Sequence, residues 1–484
     1  MSKKIAIDET RKVMERTSRK LSAYMKNLTL LLFAISVLTL PVFGQSTRVD
    51  DDPFKRDPIF NKSLDELFGV ETEEDAEEAE NDTEHSSRVI KKVSRNGIDL
   101  GGGLEAGPYY SNELYNQYPN LPMIHFNRVN GLFFGIRAER MQWHRFGSFL
   151  DIPQIQPHGF IGYGTASKEW EYAIGLEKKI GEKRRFMVGA EYYDATATED
   201  YRRVGLTETS LTSFFAGYDF LDYYNQEGFG IYSVLRSERW IETAFSYNET
   251  TFSTLFQETD YTMFGKSSVY RPNPAIDRNA DEIDLGIYSF SLSLNPRDVL
   301  ITNKFAISST VVAELADNSV SDENYRFNRY RGDIKLFYNF EPGSVLRWKV
   351  SGGRITGNVP DFKRFYLGGI GTLRGSPYKF FSGDEMFASN IEVQFGRPST
   401  RAGQWFQDYH LHLLLFLDSG WTNRMHLPAD GGITTEETTD FSISEMQHDF
   451  GVGLGTGALR FELAWPLKTF DSSPVFWVRF NPTF

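Results

Sequence analysis

The sequence predicts an all-β protein, a transmembrane antiparallel β-barrel of about 16 strands. First, short segments of alternating apolar and polar residues run from about residue 98 to the end of the chain. Second, aromatic residues recur near predicted strand ends, as at Tyr163, Trp170 and Trp465, where the interfacial girdles of membrane barrels lie. Third, an N-terminal export signal directs the chain out of the cytoplasm.

Composition limits the possible partners and cofactors. The 484 residues include no cysteine, and the eight histidines are scattered, so neither a disulfide framework nor a zinc site is predicted. The net charge of −13 argues against nucleic-acid binding, which needs dense Lys and Arg. The mean hydropathy of −0.40 is low for a helical membrane protein and normal for a barrel, in which half of each strand faces a wet lumen. We expect no cofactor.

An apolar run from residue 28 to residue 43 carries the export signal. It follows Met25 and ends on Val42-Phe43-Gly44, which supplies the small residues that a signal peptidase prefers. We predict a signal peptide over residues 1–44, with Met25 as an alternative start. A transmembrane anchor is the alternative, but the run is slightly short for one and Pro41 is badly placed.

Two further regions follow. Residues 45–96 have a centre rich in Asp, Glu and Ala, so we predict a disordered periplasmic segment, either a solvated spacer or a tether to a basic partner. Residues 97–484 are predicted to form the barrel. A strand with its turns takes about two dozen residues, so this region holds about 16 strands.

Individual strands are visible in the period of two. Clear examples are YSFSLSLN from Tyr288, LRWKVS from Leu346 and LRFELAW from Leu459. A soluble sandwich gives the same local pattern. The membrane barrel is favoured because the chain is exported and because its last segment alternates again, with Phe476, Val478 and Phe480 on one face.

Residues 365–395, FYLGGIGTLRGSPYKFFSGDEMFASNIEVQF, are the most informative segment. A glycine-rich loop carries one arginine, Arg374, and precedes a strand whose polar face includes Glu392. Four loop glycines permit positive φ angles and a close backbone approach to the barrel wall. They are Gly368, Gly369, Gly371 and Gly375.

An arginine that enters the lumen needs a carboxylate partner, because a confined charge without a counter-ion is costly. Glu392 is one candidate because it lies on the polar face of the next strand. Asp418 is the other, since in LHLLLFLDSG it shares a face with Leu414 and Phe416. The alternative is that both are ordinary polar residues of the lumen.

This segment resembles the large loop and following strand of the BamA/TamA superfamily of outer-membrane barrels, also called bacterial surface antigens. In that family a (Val/Ile)-Arg-Gly-aromatic motif lies on a loop folded into the lumen. Leu373-Arg374-Gly375 fits, but Ser376 replaces the aromatic residue and Tyr378 is the nearest substitute.

A second motif and the chain end add to the resemblance. The family's Phe-x-Asp-x-Gly pattern is matched at residues 416–420, which implies that Asp418 and an inward glutamate, Glu392, hold the loop arginine. LRFELAWP resembles the penultimate strand, with an inward Arg460. Residues 126–131 are similar to an early-strand pattern, although an ordinary turn explains them equally well. The resemblance implies that Phe480 and Phe484 form the C-terminal signal for barrel assembly.

The resemblance implies sixteen strands, an outer-membrane location and a role in inserting or translocating proteins. The implied mechanism is a weak seam between the first and last strands that templates strand addition. Expected partners are outer-membrane lipid, client barrel proteins and periplasmic factors. Relatives normally carry POTRA domains, and residues 45–96 are too short and too polar to hold one.

Two other functions stay open, and an enzyme is not predicted. One alternative is a transport pore with the loop as its constriction. The other is a surface-exposed interaction or antigen protein with long outer loops, such as residues 422–447. Asp418-Ser419-Gly420 resembles an aspartic-protease triplet, but that chemistry needs a second copy and the chain has none. The Gly-rich residues 451–455 precede no helix, so no nucleotide cradle is expected.

Overall fold

The computed structural model describes the barrel wall and the loops that fold into it. The described residues are 123–138, 155–180, 186–200, 203–237, 241–264, 270–295, 304–316, 321, 324–341, 344–396, 411–428, 434–438, 440–455, 459–469 and 473–480. The predicted signal peptide, the acidic segment at residues 45–96 and Phe484 lie outside these ranges. No helix of the described part is both long enough and apolar enough to span a membrane.

The strands of the described residues form a single sheet of 18 strands, which is the wall. Their bounds are β1 Met123–Asn127, β2 Gly131–Ala138, β3 Ile155–Gly164, β4 Trp170–Ile180, β5 Phe186–Ala197, β6 Tyr224–Ser237, β7 Ile241–Thr254, β8 Glu282–Leu294, β9 Phe305–Ala316, β10 Arg326–Glu341, β11 Ser344–Asn358, β12 Phe365–Leu367, β13 Phe381–Gly396, β14 His412–Pro428, β15 Thr434–Thr438, β16 Gln447–Gly455, β17 Leu459–Pro466 and β18 Val475–Phe480. The described ranges also contain one α-helix, α1, at Leu206–Ala216, and 3-10 turns at Asp361–Lys363, Ile443–Glu445 and Leu467–Thr469.

Sixteen of the strands described here form an antiparallel meander in chain order: β1 to β11, β13, β14 and β16 to β18. The short strands β12 and β15 pair only with β13 and β14. The predicted fold class and strand number are confirmed. Within the described residues, β1 has a ladder only with β2, and β18 only with β17. We call the region between these two free edges the seam.

The two faces of the wall differ as expected for a barrel in lipid. In β14, Leu413 is 49% exposed and Leu415 42%, whereas Leu414, Phe416 and Asp418 are buried. Large apolar side chains are exposed on most strands, and charged side chains are buried on the inner face. This follows from the period of two: one set of side chains meets lipid and the other the lumen.

Because neighbouring strands are antiparallel, several long connections leave the wall at the same end, which we call the loop end. They include the β5–β6 connection with α1, the β7–β8 connection and the β11–β13 connection with Arg374. Two apolar clusters inside the barrel join these loops to the wall, one around Ile370 and one around Phe365.

Residues 422–447, predicted as a long loop, are partly strand. β14 continues to Pro428 and pairs with β15, so a β-hairpin extends from the loop end. The segment TTEET is rich in threonine, whose branched side chain suits an extended backbone. The sequence prediction ended the strand too early because the residues after Asp418 are no longer strictly alternating.

Candidate functional site

The β11–β13 connection turns into the lumen through its glycines. Gly368, Gly369 and Gly371 have φ angles of 113°, 78° and 81°, values that residues with a side chain rarely adopt. Gly375 is needed for a different reason. A Cβ atom there would lie 2.8 Å from the main chain of β17, at Pro466 N. Three of the four predicted glycines therefore shape the turn, and the fourth permits close approach to the wall.

Arg374 lies at the inner end of this loop and is 4% exposed. Its Nε donates to Asp418 Oδ2 at 2.7 Å and its Nη2 to Asp418 Oδ1 at 2.8 Å, a bidentate pair. Its Nη1 donates to Glu392 Oε1 at 2.6 Å. Glu392 and Asp418, the two carboxylates that the sequence analysis selected, therefore both contact the loop arginine. They lie on the neighbouring strands β13 and β14.

Two further groups at Arg374 were missed by the sequence prediction. Glu462 Oε2, on β17, lies 3.3 Å from Arg374 Nη1. The Phe416 ring lies against the guanidinium, with 3.5 Å from Arg374 Cζ to its centroid, a cation–π contact. Glu462 had a detectable signal, because it alternates in phase with Arg460 in LRFELAWP.

Two further arginines lie beside the Glu392 carboxylate. Arg460 and Arg347 lie beside Glu392 at 3.4 and 3.7 Å. Three arginines thereby face three buried carboxylates. Buried ions persist when they are paired and hydrogen-bonded. We call Arg374, Glu392, Asp418 and Glu462 the arginine lock.

Hydrogen bonds that involve the main chain also hold the loop. Gly375 N donates to Asp449 Oδ2 on β16 at 2.8 Å, and the Ser376 hydroxyl contacts the same carboxylate. Trp477 Nε1 on β18 donates to the carbonyl of Arg374 at 2.8 Å. Ser376, the departure from the family motif, therefore binds the wall through its hydroxyl. The loop is tied to the last strand of the barrel.

A second charged cluster joins this loop to its neighbours at the loop end. Lys379 Nζ donates to Asp200 and Asp222 carboxylates, each at 2.6 Å, and Arg271 pairs with Asp222. Tyr378 donates its hydroxyl to the carbonyl of Phe220. Burial raises the pKa of the Asp222 carboxyl, but Lys379 and Arg271 outweigh burial and hold that pKa below its usual range.

The chain end is described only in part. Phe480 closes β18, in which Phe476 is 57% exposed while Trp477 and Arg479 point inward. The assembly signal predicted at Phe480 and Phe484 stays a prediction. Within the described ranges, no group of His, Cys, Asp and Glu side chains is arranged to hold a metal ion.

Comparison with solved structures gives distant barrels. BamA from Haemophilus ducreyi lacking POTRA domains 1-3 is 14% identical over 74% of this chain and 68% of that chain, with a TM-score of 0.46. CdiB from Acinetobacter baumannii is 11% identical over 73% and 56%, with a TM-score of 0.37. CdiB from Escherichia coli is 11% identical over 73% and 60%, with a TM-score of 0.38. The match spans less than two thirds of either CdiB chain.

A comparison with curated protein sequences found no match. The Omp85 superfamily domain matches residues 172–481, from β4 to the end of β18. This match covers more than half of the chain. It confirms the resemblance drawn from residues 365–395 and extends it over most of the wall. The chain belongs to the Omp85 superfamily.

Proposed function

We propose that this protein is an outer-membrane barrel that inserts or translocates polypeptides. The observation that carries the proposal is the seam: in the described part of the chain, the free edges of β1 and β18 have no strand partner. A free strand edge offers a row of N–H and C=O groups to an extended peptide. Clients of this chemistry are polypeptides that form strands, as barrel proteins do.

The arginine lock supports this function by bracing the lumen. It joins β13, β14 and β17 through one buried guanidinium, and Trp477 adds β18. A brace of this kind holds these four strands together on the lumen side and leaves the outer edge of β18 without a strand partner in the described part of the chain. Membership in the Omp85 superfamily and the apolar outer face support the outer-membrane location. No enzymatic activity is proposed.

Depletion followed by proteomics of the outer membrane tests the proposal. On depletion in the native bacterium, we expect several outer-membrane barrel proteins to decrease while membrane lipoproteins stay constant. Complementation with wild type and with Arg354→Ala, which breaks an exposed ion pair, should restore them. Arg374→Ala should restore them poorly. An unchanged barrel proteome would reject the assembly role.

A transport pore is the second candidate, because the Arg374 loop lies inside the lumen and would act as its constriction. Planar-bilayer recordings separate the two functions. Steady wild-type conductance, raised by Arg374→Ala, together with an unchanged outer-membrane proteome on depletion, would favour the pore. Low conductance with a depleted barrel proteome favours insertion or translocation.

A further inference from the structure

The helix α1 contacts both edges of the seam. The hydroxyl of Ser210 accepts a hydrogen bond from the main-chain N–H of Phe126 on β1 at 2.8 Å. The carboxylate of Glu208 accepts one from the main-chain N–H of Phe480 on β18 at 3.1 Å. Two side chains of one helical turn therefore satisfy donors that a neighbouring strand would otherwise bind.

A buried ion pair strengthens the contact with β18. Arg479 Nε donates to Glu208 Oε1 at 2.6 Å and Arg479 Nη2 to Glu208 Oε2 at 3.1 Å. The side chains are 2% and 1% exposed. A bidentate pair fixes direction as well as distance. Glu208 thus binds the main chain and the side chain of neighbouring residues on the last strand.

The contacts of α1 lie on opposite faces of the wall. Arg479 belongs to the lumen face of β18. Phe126 belongs to the outer face of β1, because it lies two residues from Ile124, which is 58% exposed. Phe126 itself is only 6% exposed, since the rings of Phe214 on α1 and of Tyr261 cover it at 5.5 and 6.1 Å. The helix therefore crosses the seam from the lumen side of one edge to the outer side of the other.

The sequence of α1 has a low intrinsic helix propensity. Five of the eleven residues in LTETSLTSFFA are Thr or Ser, and Gly205 provides no side-chain cap. A short segment of this composition is helical in water only marginally. Its helical state therefore depends on tertiary contacts. Besides those with the seam, the β7–β8 connection contacts the end of α1, where the Tyr270 hydroxyl donates to the carbonyl of Ser213 at 2.6 Å. Loss of the seam contacts therefore frees α1 from the strand edges while this second attachment remains.

We propose that α1 is a removable wedge that closes the seam. An extended client strand pairs with the edges of β1 and β18 only after α1 has moved away from them. The client part of this inference rests on the proposed function, and the wedge itself does not. The wedge is a gate within the chain, built from Glu208, Ser210 and Arg479.

Distance measurement across the seam tests the wedge without any client. The chain has no cysteine, so spin labels at Ile124→Cys on β1 and Phe476→Cys on β18 are unique. Both side chains are exposed on the outer face, at 58% and 57%. In the full chain in lipid vesicles, pulsed dipolar spectroscopy should give a single narrow distance distribution. Glu208→Gln and Arg479→Gln should each shift it to longer distances and broaden it.

Two controls make the result specific. Glu191→Gln alters a buried lumen carboxylate on β5, away from the seam, and should leave the distribution unchanged. The charge exchange, Glu208→Arg with Arg479→Glu, restores the ion pair but not the acceptor of the Phe480 N–H, so it should narrow the distribution only in part relative to the single variants. If Glu208→Gln does not fold, Ser210→Ala removes only the acceptor of the Phe126 N–H and should broaden the distribution by a smaller amount.

Folded seam variants that keep the wild-type distribution would overturn the wedge. That result, combined with loss of barrel proteins on depletion, would reject the wedge alone. A shifted distribution with an unchanged outer-membrane proteome would retain the wedge and reject the proposed function. The two failures are therefore distinguishable.

Discussion

Replacing Arg374 by alanine removes the one cation that, among the described residues, reaches all three carboxylates of the arginine lock. Asp418 loses a bidentate partner at 2.7 and 2.8 Å, and Glu392 loses a partner at 2.6 Å. Asp418 is 0% exposed and Glu392 3%, so water cannot replace the lost hydrogen bonds without opening the site. The variant therefore leaves buried negative charge with incomplete compensation.

The expected loss of stability is about 3–5 kcal/mol, the usual penalty for removing one partner of a buried ion pair. Since about 1.4 kcal/mol is a factor of ten, the ratio of folded to unfolded protein falls by about two to four orders of magnitude. Arg354→Ala is the matched control: its pair with Glu385, at 3.2 Å, has side chains that are 68% and 37% exposed. An exposed pair contributes about 1 kcal/mol or less.

The stability of both variants is measured by unfolding in guanidinium. The folded fraction is read from the shift of the folded band on gels run in the cold. Arg374→Ala should unfold at clearly lower denaturant than wild type, and Arg354→Ala near wild type. In the double variant Arg374→Ala with Asp418→Ala, the losses should be less than additive because both remove the same contact. Equal midpoints for the two single variants would refute the assignment of the lock as the main internal brace.

Three further predictions concern the same loop and its neighbours. Gly375→Ala should destabilise the folded protein, seen on cold gels, because the added Cβ would lie 2.8 Å from main-chain atoms. Gly332→Ala should not, because the nearest atom to its Cβ would be 3.8 Å away. Equal effects of the two variants would contradict the close approach at Gly375. Trp477→Phe removes the hydrogen bond to the lock arginine's carbonyl and should cost about 1 kcal/mol in unfolding free energy, measured against Trp170→Phe on the exposed face. Asp222 has a lowered pKa in the folded state, so its ionised form adds stability above the unfolded value of about 4, and this stability is lost as the pH falls towards the folded pKa. Asp222→Asn should therefore lower stability at pH 7 and flatten its decline in acid, and a decline as steep as that of wild type would exclude this carboxylate as the cause.

Local pattern was enough to predict the strands and part of the lock. The period of two assigned Glu392 and Asp418 to the inner face, because a side chain's face depends only on its position along its own strand. Glu392 and Asp418 lie on adjacent strands, so their meeting follows from chain order. The loop glycines were predictable because positive φ is a local demand on the backbone.

Tertiary structure decided which distant residues complete the site. Asp449, Glu462 and Trp477 lie 74, 88 and 103 residues from their partners in the loop, and their contacts depend on sheet register and curvature that no local pattern encodes. The same holds for α1, whose Thr- and Ser-rich sequence carries no strong helical signal and which is helical where Glu208 and Ser210 meet two free strand edges. Periodicity assigns a residue to a face of its own strand, whereas the pairing of charges across the lumen is settled only when the whole wall has curved.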